Sequence, residues 1–216
     1  MFANSSPVVS TQQAPHPRLA DAVRRHLELP FRREPGAIGR RAFDSVAKRL
    51  DTPFVLDAGC GTGASTLALA RRFPQHTVLG VDKSAVRLAR GQRALARAKV
   101  PNAVLLHCEL VDFWQLAHRA GLACVEQYLL YPNPWPKPEH LKRRWAAHPV
   151  LPAMLALGGR LELRSNWRVY AEEFTAALRI AGRPAACAPF KPEAPLTPFE
   201  HKYAESGHTL WRCVSG

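Results

Sequence analysis

The chain has 216 residues, 47% of them apolar, enough to bury a core and too many for a disordered chain; at about 150 residues per domain this suits one domain with an extension. Thirty Lys and Arg against 17 Asp and Glu leave a formal net charge of +13, which points first to nucleic acid, because Lys and Arg displace condensed counterions from phosphates; a solvated basic surface is the bland alternative. Five scattered cysteines without a CxxC pair argue against a disulfide framework or zinc site, and there is neither a membrane-length apolar run nor a signal-peptide pattern, so a cytoplasmic protein without membrane or metal is expected.

Residues 1–17 (MFANSSPVVSTQQAPHP) are small, polar and proline-bearing and read as a flexible tail. Residues 18–216 read as one domain that opens with a basic helical extension over 18–50. Within it Gly36–Leu50 is predicted as a helix with Ile38, Phe43, Val46 and Leu50 on one face. Its arginines (Arg18, Arg24, Arg25, Arg32, Arg33, Arg40, Arg41) either clasp a nucleic acid or line a solvated helix pair. From Pro53 strands and helices alternate. Pro53–Asp57 is a strand, followed by a glycine-rich turn and a helix over Ala64–Arg72. Thr77–Val81 is a strand, Ser84–Lys99 a helix capped by Ser84, Asn102–Cys108 a strand, Asp112–Ala120 a helix capped by Asp112, and Cys124–Leu130 a strand. His140–Leu157 reads as a helix interrupted near Pro149 and Pro152. Arg160–Arg164 is a strand, Trp167–Ala181 a helix closed by Gly182, and Pro189–Pro198 an irregular loop; Ala185–Ala188 and His208–Cys213 are weak strands. Strands alternating with crossover helices predict an α/β, Rossmann-like, mostly parallel seven-stranded sheet with helices on both faces. Ligands in such sheets sit outside the carboxyl ends of the strands.

The first strand runs into Asp57-Ala58-Gly59-Cys60-Gly61-Thr62-Gly63. Glycines at every second position permit a tight turn and close approach of a ligand to the backbone. The spacing is GxGxG, not the GxGxxG of dinucleotide sites, which leaves a nicotinamide cofactor as the weaker alternative. Asp82 ends the second strand, where a carboxylate can accept both hydroxyls of a ribose. This combination resembles the cofactor site of class I S-adenosylmethionine methyltransferases. The resemblance implies that Asp57 helps hold the methionine end, that Gly59 and Gly61 approach the cofactor, and that Asp82 takes the ribose. It also implies an acidic residue facing the adenine amine after the third strand, with Glu109 best placed and Asp112 competing.

The fourth strand ends in Tyr131-Pro132-Asn133-Pro134-Trp135-Pro136-Lys137, followed by Pro138-Glu139-His140-Leu141-Lys142-Arg143-Arg144. A strand's carboxyl end puts Asn133 beside the cofactor's reactive methyl, and flanking prolines fix the backbone. Trp135 is able to stack on a base or on cofactor, or simply to pack in the core. Lys137, His140, Lys142, Arg143 and Arg144 form a basic cluster suited to phosphates, or else a solvated face. The segment resembles the FPDPWPKxxHxKRR signature of the bacterial tRNA (guanine-N7)-methyltransferases, which methylate guanosine 46 in the variable loop. Ser165–Tyr170 is similar to that family's TDWxxY, and Thr197–Tyr203 with Gly207 to its TxFExKxxxxG; the matches run in order from Phe54 to Gly207. The resemblance implies that Lys137, Asn166, Thr197, Pro198, Phe199 and Glu200 contact the substrate nucleotide, that His140 and Arg143 bind or orient tRNA, and that Asn133 lies between cofactor and guanine, with His140 and Asn133 as the catalytic pair. A monomer and a homodimer both remain open.

Two acidic positions depart from the family: Asn133 replaces the Asp of FPDPW and Asn166 the Asp of TDW. Asp57 and Asp82 stand where the family usually has Glu. A carboxylate accepts from guanine's N1–H and amino group and offsets the charge developing on the methylated purine; an amide keeps one acceptor oxygen and loses the charge. Guanine N7 carries a free lone pair, so attack on the sulfonium methyl needs no general base. Asn133-Pro134-Trp135 is also similar to the Asn/Asp-Pro-Pro-aromatic motif of methyltransferases acting on exocyclic amines, a second enzymatic reading. A third is a tRNA- and cofactor-binding protein that no longer catalyses.

Overall fold

A computed structural model describes residues 5–216; residues 1–4 of the expected tail lie outside the described residues. Helices α1 (Leu19–Glu28) and α2 (Ala37–Ala47) precede β1 (Phe54–Ala58), α3 (Ala64–Arg72), β2 (Val78–Asp82), α4 (Ala85–Ala98), β3 (Ala103–His107), α5 (Leu110–Arg119) and β4 (Cys124–Leu130). Then come α6 (Leu151–Ala156), β5 (Arg160–Ser165), α7 (Arg168–Ile180), β6 (Ala185–Phe190), α8 (Pro198–Glu205) and β7 (Leu210–Ser215). The strand order is β3-β2-β1-β4-β5-β7-β6. Strands β1 to β4 run parallel, and β7 lies antiparallel to both β5 and β6, so the sheet is mostly parallel as expected. The chain divides into two compact units. One holds Arg33–Leu129 and Ala153–Arg160; the other holds the described residues up to Arg32, Leu130–Pro152 and Leu161–Gly216.

In the first, the glycine-turn unit, every residue of β1 and β2 is buried, the pattern of parallel strands covered on both faces. Alternation along β1 sends Asp57 toward α3 and Phe54 toward α5, where its ring meets Phe113 edge-on at 6.4 Å, and Phe113 in turn meets Phe43 of α2 at 6.0 Å. Trp114 is fully buried and donates to Gln127 Oε1 at 3.3 Å, while Gln127 donates to the Met154 and Gly158 carbonyls, so this buried amide is satisfied from several sides. Ser84 caps α4 as predicted, accepting from the Arg87 amide. Two expectations fail. Ile38 is 68% exposed, because α2 buries Gly39, Phe43 and Val46 instead. Asp112 does not cap α5, which already begins at Leu110; its carboxylate accepts from the Gly36 amide and the Arg33 guanidinium and so ties α5 to the start of α2.

Helix α4 sits close against the glycine turn, and a Cβ on Gly91 would stand 2.6 Å from the Thr62 carbonyl oxygen. Gly91→Ala is therefore expected to lose about 1–3 kcal/mol in urea unfolding through overpacking, despite alanine's better helix propensity. An unchanged midpoint would show that α4 and the turn part freely.

In the second, the tryptophan-loop unit, α7 buries Val169, Tyr170, Phe174, Ala177 and Leu178, and α1 buries Leu19 and Val23. Of the predicted His140–Leu157 helix only the second half forms, as α6 (Leu151–Ala156). Two 3-10 turns, Pro138–Arg143 and Trp145–Ala147, replace its first half, separated by an extended Arg144 (φ −81°, ψ 140°). Four prolines between 136 and 152 and an inward-turned Arg144 prevent a continuous backbone ladder. Helix α8 follows the predicted loop, over a stretch to which the sequence reading assigns no element. Thr197 caps it by accepting from the Glu200 amide and Pro198 opens its first turn, a capping-box signal present in the sequence.

Candidate active site

The glycine turn grows directly from β1. Gly59, Gly61 and Gly63 all have left-handed φ (82°, 58° and 72°), which an L side chain adopts only at a cost, so the alternate glycines are what let the chain reverse here. Gly59 is exposed and offers bare backbone. Below it, Asp57 is buried, and its Oδ2 accepts from the hydroxyls of Ser65 (2.6 Å) and Thr66 (2.7 Å) on α3. Burial pushes its carboxyl up to about 6, against the lowering effect of the two hydroxyls. Asp82 closes the other side: Oδ2 accepts from the Gly61 amide at 3.0 Å, Oδ1 from the Ser84 amide at 2.8 Å, and Arg87 stands 3.8 Å away. Glu109, half exposed and 3.8 Å from Lys83, keeps its carboxylate available, whereas Asp112 is spent on Arg33 and Gly36. Asp57, Gly59, Gly61, Asp82 and Glu109 thus all belong to the glycine-turn unit.

The other predicted site residues belong to the tryptophan-loop unit. Tyr131, which opens the loop, and Trp135 within it are in left-handed conformations (φ 53° and 46°), strain that persists only where surroundings enforce it. The Asn133 Oδ1 accepts weakly from the Trp135 amide at 3.4 Å, and Asn133 and Lys137 are exposed. The Arg143 guanidinium lies over the Trp135 ring at 4.7 Å and the His140 ring meets it edge-on at 5.5 Å. Arg144 corrects the expected phosphate cluster. It is fully buried, bound to both oxygens of an equally buried Glu173 at 2.8 Å, and donates to the Trp135 and Lys137 carbonyls at 3.1 Å. The segment expected as a tail is drawn into the same knot. The Gln12 amide donates to Glu173 at 2.7 Å and its Oε1 accepts from Arg144, the His16 amide donates to Glu173, and the Ser10 hydroxyl donates to the Pro136 carbonyl at 2.6 Å. Sequence reasoning missed Glu173 and Gln12; two isolated polar residues carry no local signal.

The later motifs gather around a second buried charge. Arg164 donates to Glu162 at 2.7 Å and to both oxygens of Glu200 at 2.9 and 3.0 Å; Glu200 also accepts from the Tyr131 hydroxyl and the Leu196 amide. Glu200 is fully buried, so it shapes the 196–200 segment from beneath and reaches the surface with no atom, in place of the nucleotide contact expected of it. Phe199 is 53% exposed and heads an aromatic series: Phe199 stacks on Tyr203 at 6.0 Å and Tyr203 on His208 at 5.3 Å. Asn166 Nδ2 lies 3.1 Å from His208 Nδ1, and His208 Nε2 lies 2.8 Å from the Ser5 carbonyl. The two contacts agree if Nε2 carries the proton and Nδ1 accepts from the Asn166 amide. An aspartate in that place could only accept, and would require a doubly protonated ring.

Comparison with known proteins matches a family model described as "Putative methyltransferase" to residues 51–213. The tRNA (guanine-N(7)-)-methyltransferase of Leifsonia xyli subsp. xyli (strain CTCB07) is 32% identical over 170 residues, 74% of this chain and 74% of the relative. The tRNA (guanine-N(7)-)-methyltransferase of Cupriavidus pinatubonensis is 27% identical over 98% of this chain and 91% of its own. This chain belongs to the tRNA (guanine-N7)-methyltransferase family. Among solved structures, the 16S rRNA methyltransferase KamB superposes with a TM-score of 0.57 at 20% identity, covering 85% of this chain and 94% of that one. A variant of the 16S rRNA (adenine(1408)-N(1))-methyltransferase of Catenulisporales acidiphilia, with cosubstrate SAM, superposes at 0.55 and 19% identity, covering 80% and 88%. Both identify the fold as the α/β class I methyltransferase architecture.

S-adenosyl-L-methionine is the methyl donor of this family and fold, and the glycine-turn residues fit its chemistry. Bare backbone at Gly59 suits close approach. Three carboxylates on this unit, Asp57, Asp82 and Glu109, are of the chemistry that would suit a ligand carrying an ammonium, a ribose diol and an adenine amine. Among the described residues no helix is long and apolar enough to cross a membrane, and no cluster of three or more metal-ligating side chains occurs.

Proposed function

We propose that this chain transfers a methyl group from S-adenosyl-L-methionine to N7 of a guanosine in tRNA, guanosine 46 of the variable loop. The observation that carries this reading is the loop 131–144: a tryptophan, itself in a left-handed conformation, clamped by Arg143 and His140 and flanked by Pro134 and Pro136, with a second left-handed residue at Tyr131 and exposed Asn133 and Lys137 at its rim. That is a rigid recognition surface for a nucleobase and its phosphate, built on the segment that most resembles the family signature. In this reading Asp57, Gly59, Gly61, Asp82 and Glu109 hold the donor. Asn133, Lys137, Asn166, Thr197, Pro198 and Phe199 position the nucleotide, while His140 and Arg143 orient the RNA through Trp135. N7 offers its own lone pair, so these residues need only align the base and stabilise the positive charge that develops on it; none has to remove a proton. Mass spectrometry of tRNA nucleosides after incubation with donor tests the reading. Formation of 7-methylguanosine supports it. A methylated exocyclic amine would shift the assignment to that chemistry, and binding without any product would leave a non-catalytic tRNA-binding protein.

Two measurements probe the chemistry further. Asn133→Asp restores an anionic acceptor, and a charge-assisted hydrogen bond exceeds a neutral one by about 1 kcal/mol, so guanine-N7 turnover is expected to rise about 5- to 10-fold. Unchanged or lower turnover would show that the missing charge does not limit the rate. Donor affinity should depend on pH through Asp57. Its folded carboxyl, at about 6, sits above the ordinary carboxylate value, so the free protein favours the neutral form toward acid and loses that preference as pH rises through 6. A cationic donor needs the ionised form. Affinity measured by calorimetry should therefore fall as pH drops below 6, toward tenfold per unit, and Asp57→Asn should flatten the profile. A flat profile in the unaltered protein would remove Asp57 from donor binding.

A further inference from the structure

We propose that helix α4 is a second RNA-binding surface, one that takes the sugar-phosphate backbone of the tRNA at a face the sequence motifs do not include. The proposal rests on the tRNA reading above. Over 14 residues α4 carries Arg87, Arg90, Arg93 and Arg97 and no acidic residue, with Lys99 directly after it. Only Leu88 and Gly91 are buried, and all four arginines are exposed. Arg87 is engaged by Asp82 at 3.8 Å. Among the described residues Arg90, Arg93 and Arg97 form no ion pair with a carboxylate, and they follow one another at i, i+3 and i+7, a single stripe rising about 10 Å along the helix.

Such a stripe is unfavourable for the free protein. Like charges three and four residues apart destabilise a helix by roughly 0.2–0.5 kcal/mol per pair, and a merely solvated helix relieves this by interleaving acids. Other helices of this chain do so: Arg24 pairs with Asp21 at 3.7 Å on α1, and Arg168 with Glu172 at 3.5 Å on α7. The helix dipole accounts for Arg97 and Lys99 at the carboxyl end but not for Arg90 and Arg93 in the middle. The residue choice is also informative. The cations of the stripe are all arginine, whose planar fork matches two phosphate oxygens at once, where solubility would be served equally by lysine. A polyphosphate strand relieves the repulsion and satisfies the forks together. Gly91 lets the helix lie directly on the turn that follows β1.

The test is the full chain with R90Q, R93Q and R97Q combined, glutamine being close to arginine in helix propensity. Binding of an unmodified tRNA transcript is followed across a salt series from about 50 to 200 mM. With about three phosphate contacts removed, affinity at the low-salt end should fall roughly 10- to 50-fold and the slope of log K against log salt should shrink by about 2–3. Methylation should show a raised KM for tRNA with kcat retained, and donor affinity and Tm should be unchanged or, for Tm, slightly raised. Equal tRNA affinity and slope in the variant would overturn the α4 surface while leaving the tRNA reading intact. A wild-type chain that binds no tRNA would overturn both. Loss of binding to phosphatidylserine-containing vesicles, with tRNA binding untouched, would assign the stripe to a lipid surface and overturn it as well.

Discussion

Arg144→Ala is expected to destabilise the protein by about 3–5 kcal/mol, because it leaves the buried Glu173 carboxylate without its counter-charge. On a marginal total of roughly 5–15 kcal/mol, that is a large fraction of the whole. The same side chain holds the Trp135 and Lys137 carbonyls and receives Gln12, so its loss also frees the recognition loop and the 10–16 segment. Replacing both partners separates the two effects. A paired R144M and E173M variant removes both buried charges at similar volume, which typically recovers most of the stability. It cannot hold the two loop carbonyls, so tRNA methylation should stay low while the urea midpoint returns toward wild type. A single Arg144→Ala variant with an unchanged midpoint would mean that the pair is solvated and the loop held elsewhere. Exposed Lys142, two residues earlier, serves as the control: its alanine variant should lie within about 0.5 kcal/mol of wild type.

Glu200→Gln is the second large effect. The family resemblance makes this residue a nucleotide contact; the structure makes it the buried anchor of Arg164, Tyr131 and the Leu196 amide. The amide keeps the shape and one acceptor oxygen but loses the charge, leaving Arg164 with the Glu162 carboxylate, at an expected cost of about 2–4 kcal/mol. Activity should fall together with the unfolding midpoint. A raised KM for tRNA at full stability would restore the direct-contact role. Phe199→Ala should behave in the opposite way, since the ring is 53% exposed: little change in stability, but a loss of RNA affinity on the scale of base stacking, about 1–3 kcal/mol.

Much of the glycine-turn unit was legible in the sequence. The β1 strand, the GxGxG turn, Asp82 at the end of β2 and the Ser84 cap are local patterns, each read from a handful of neighbouring residues, and the structure reproduces them within a residue or two. The competition between Glu109 and Asp112 was not legible. Both follow β3, and only the approach of α2 commits Asp112 to Gly36 and Arg33. The segment 140–157 misled the helical reading because its apolar spacing is helical while its prolines and inward Arg144 are not. Helix α8 could have been found from its Thr-Pro-x-Glu start.

What the sequence determined by itself was the class of fold, the family and the candidate residues, since periodicity, glycine spacing and contiguous motifs are properties of neighbours along the chain. What only the tertiary structure decided was which of those residues face outward. Arg143 and Arg144 are adjacent and chemically identical, yet one lies on Trp135 in the open and the other is sealed against Glu173. The physical reason is that a buried charge must find its partner: Glu173 stands 29 residues further along, and only folding brings the carboxylate that makes burial of Arg144 tolerable.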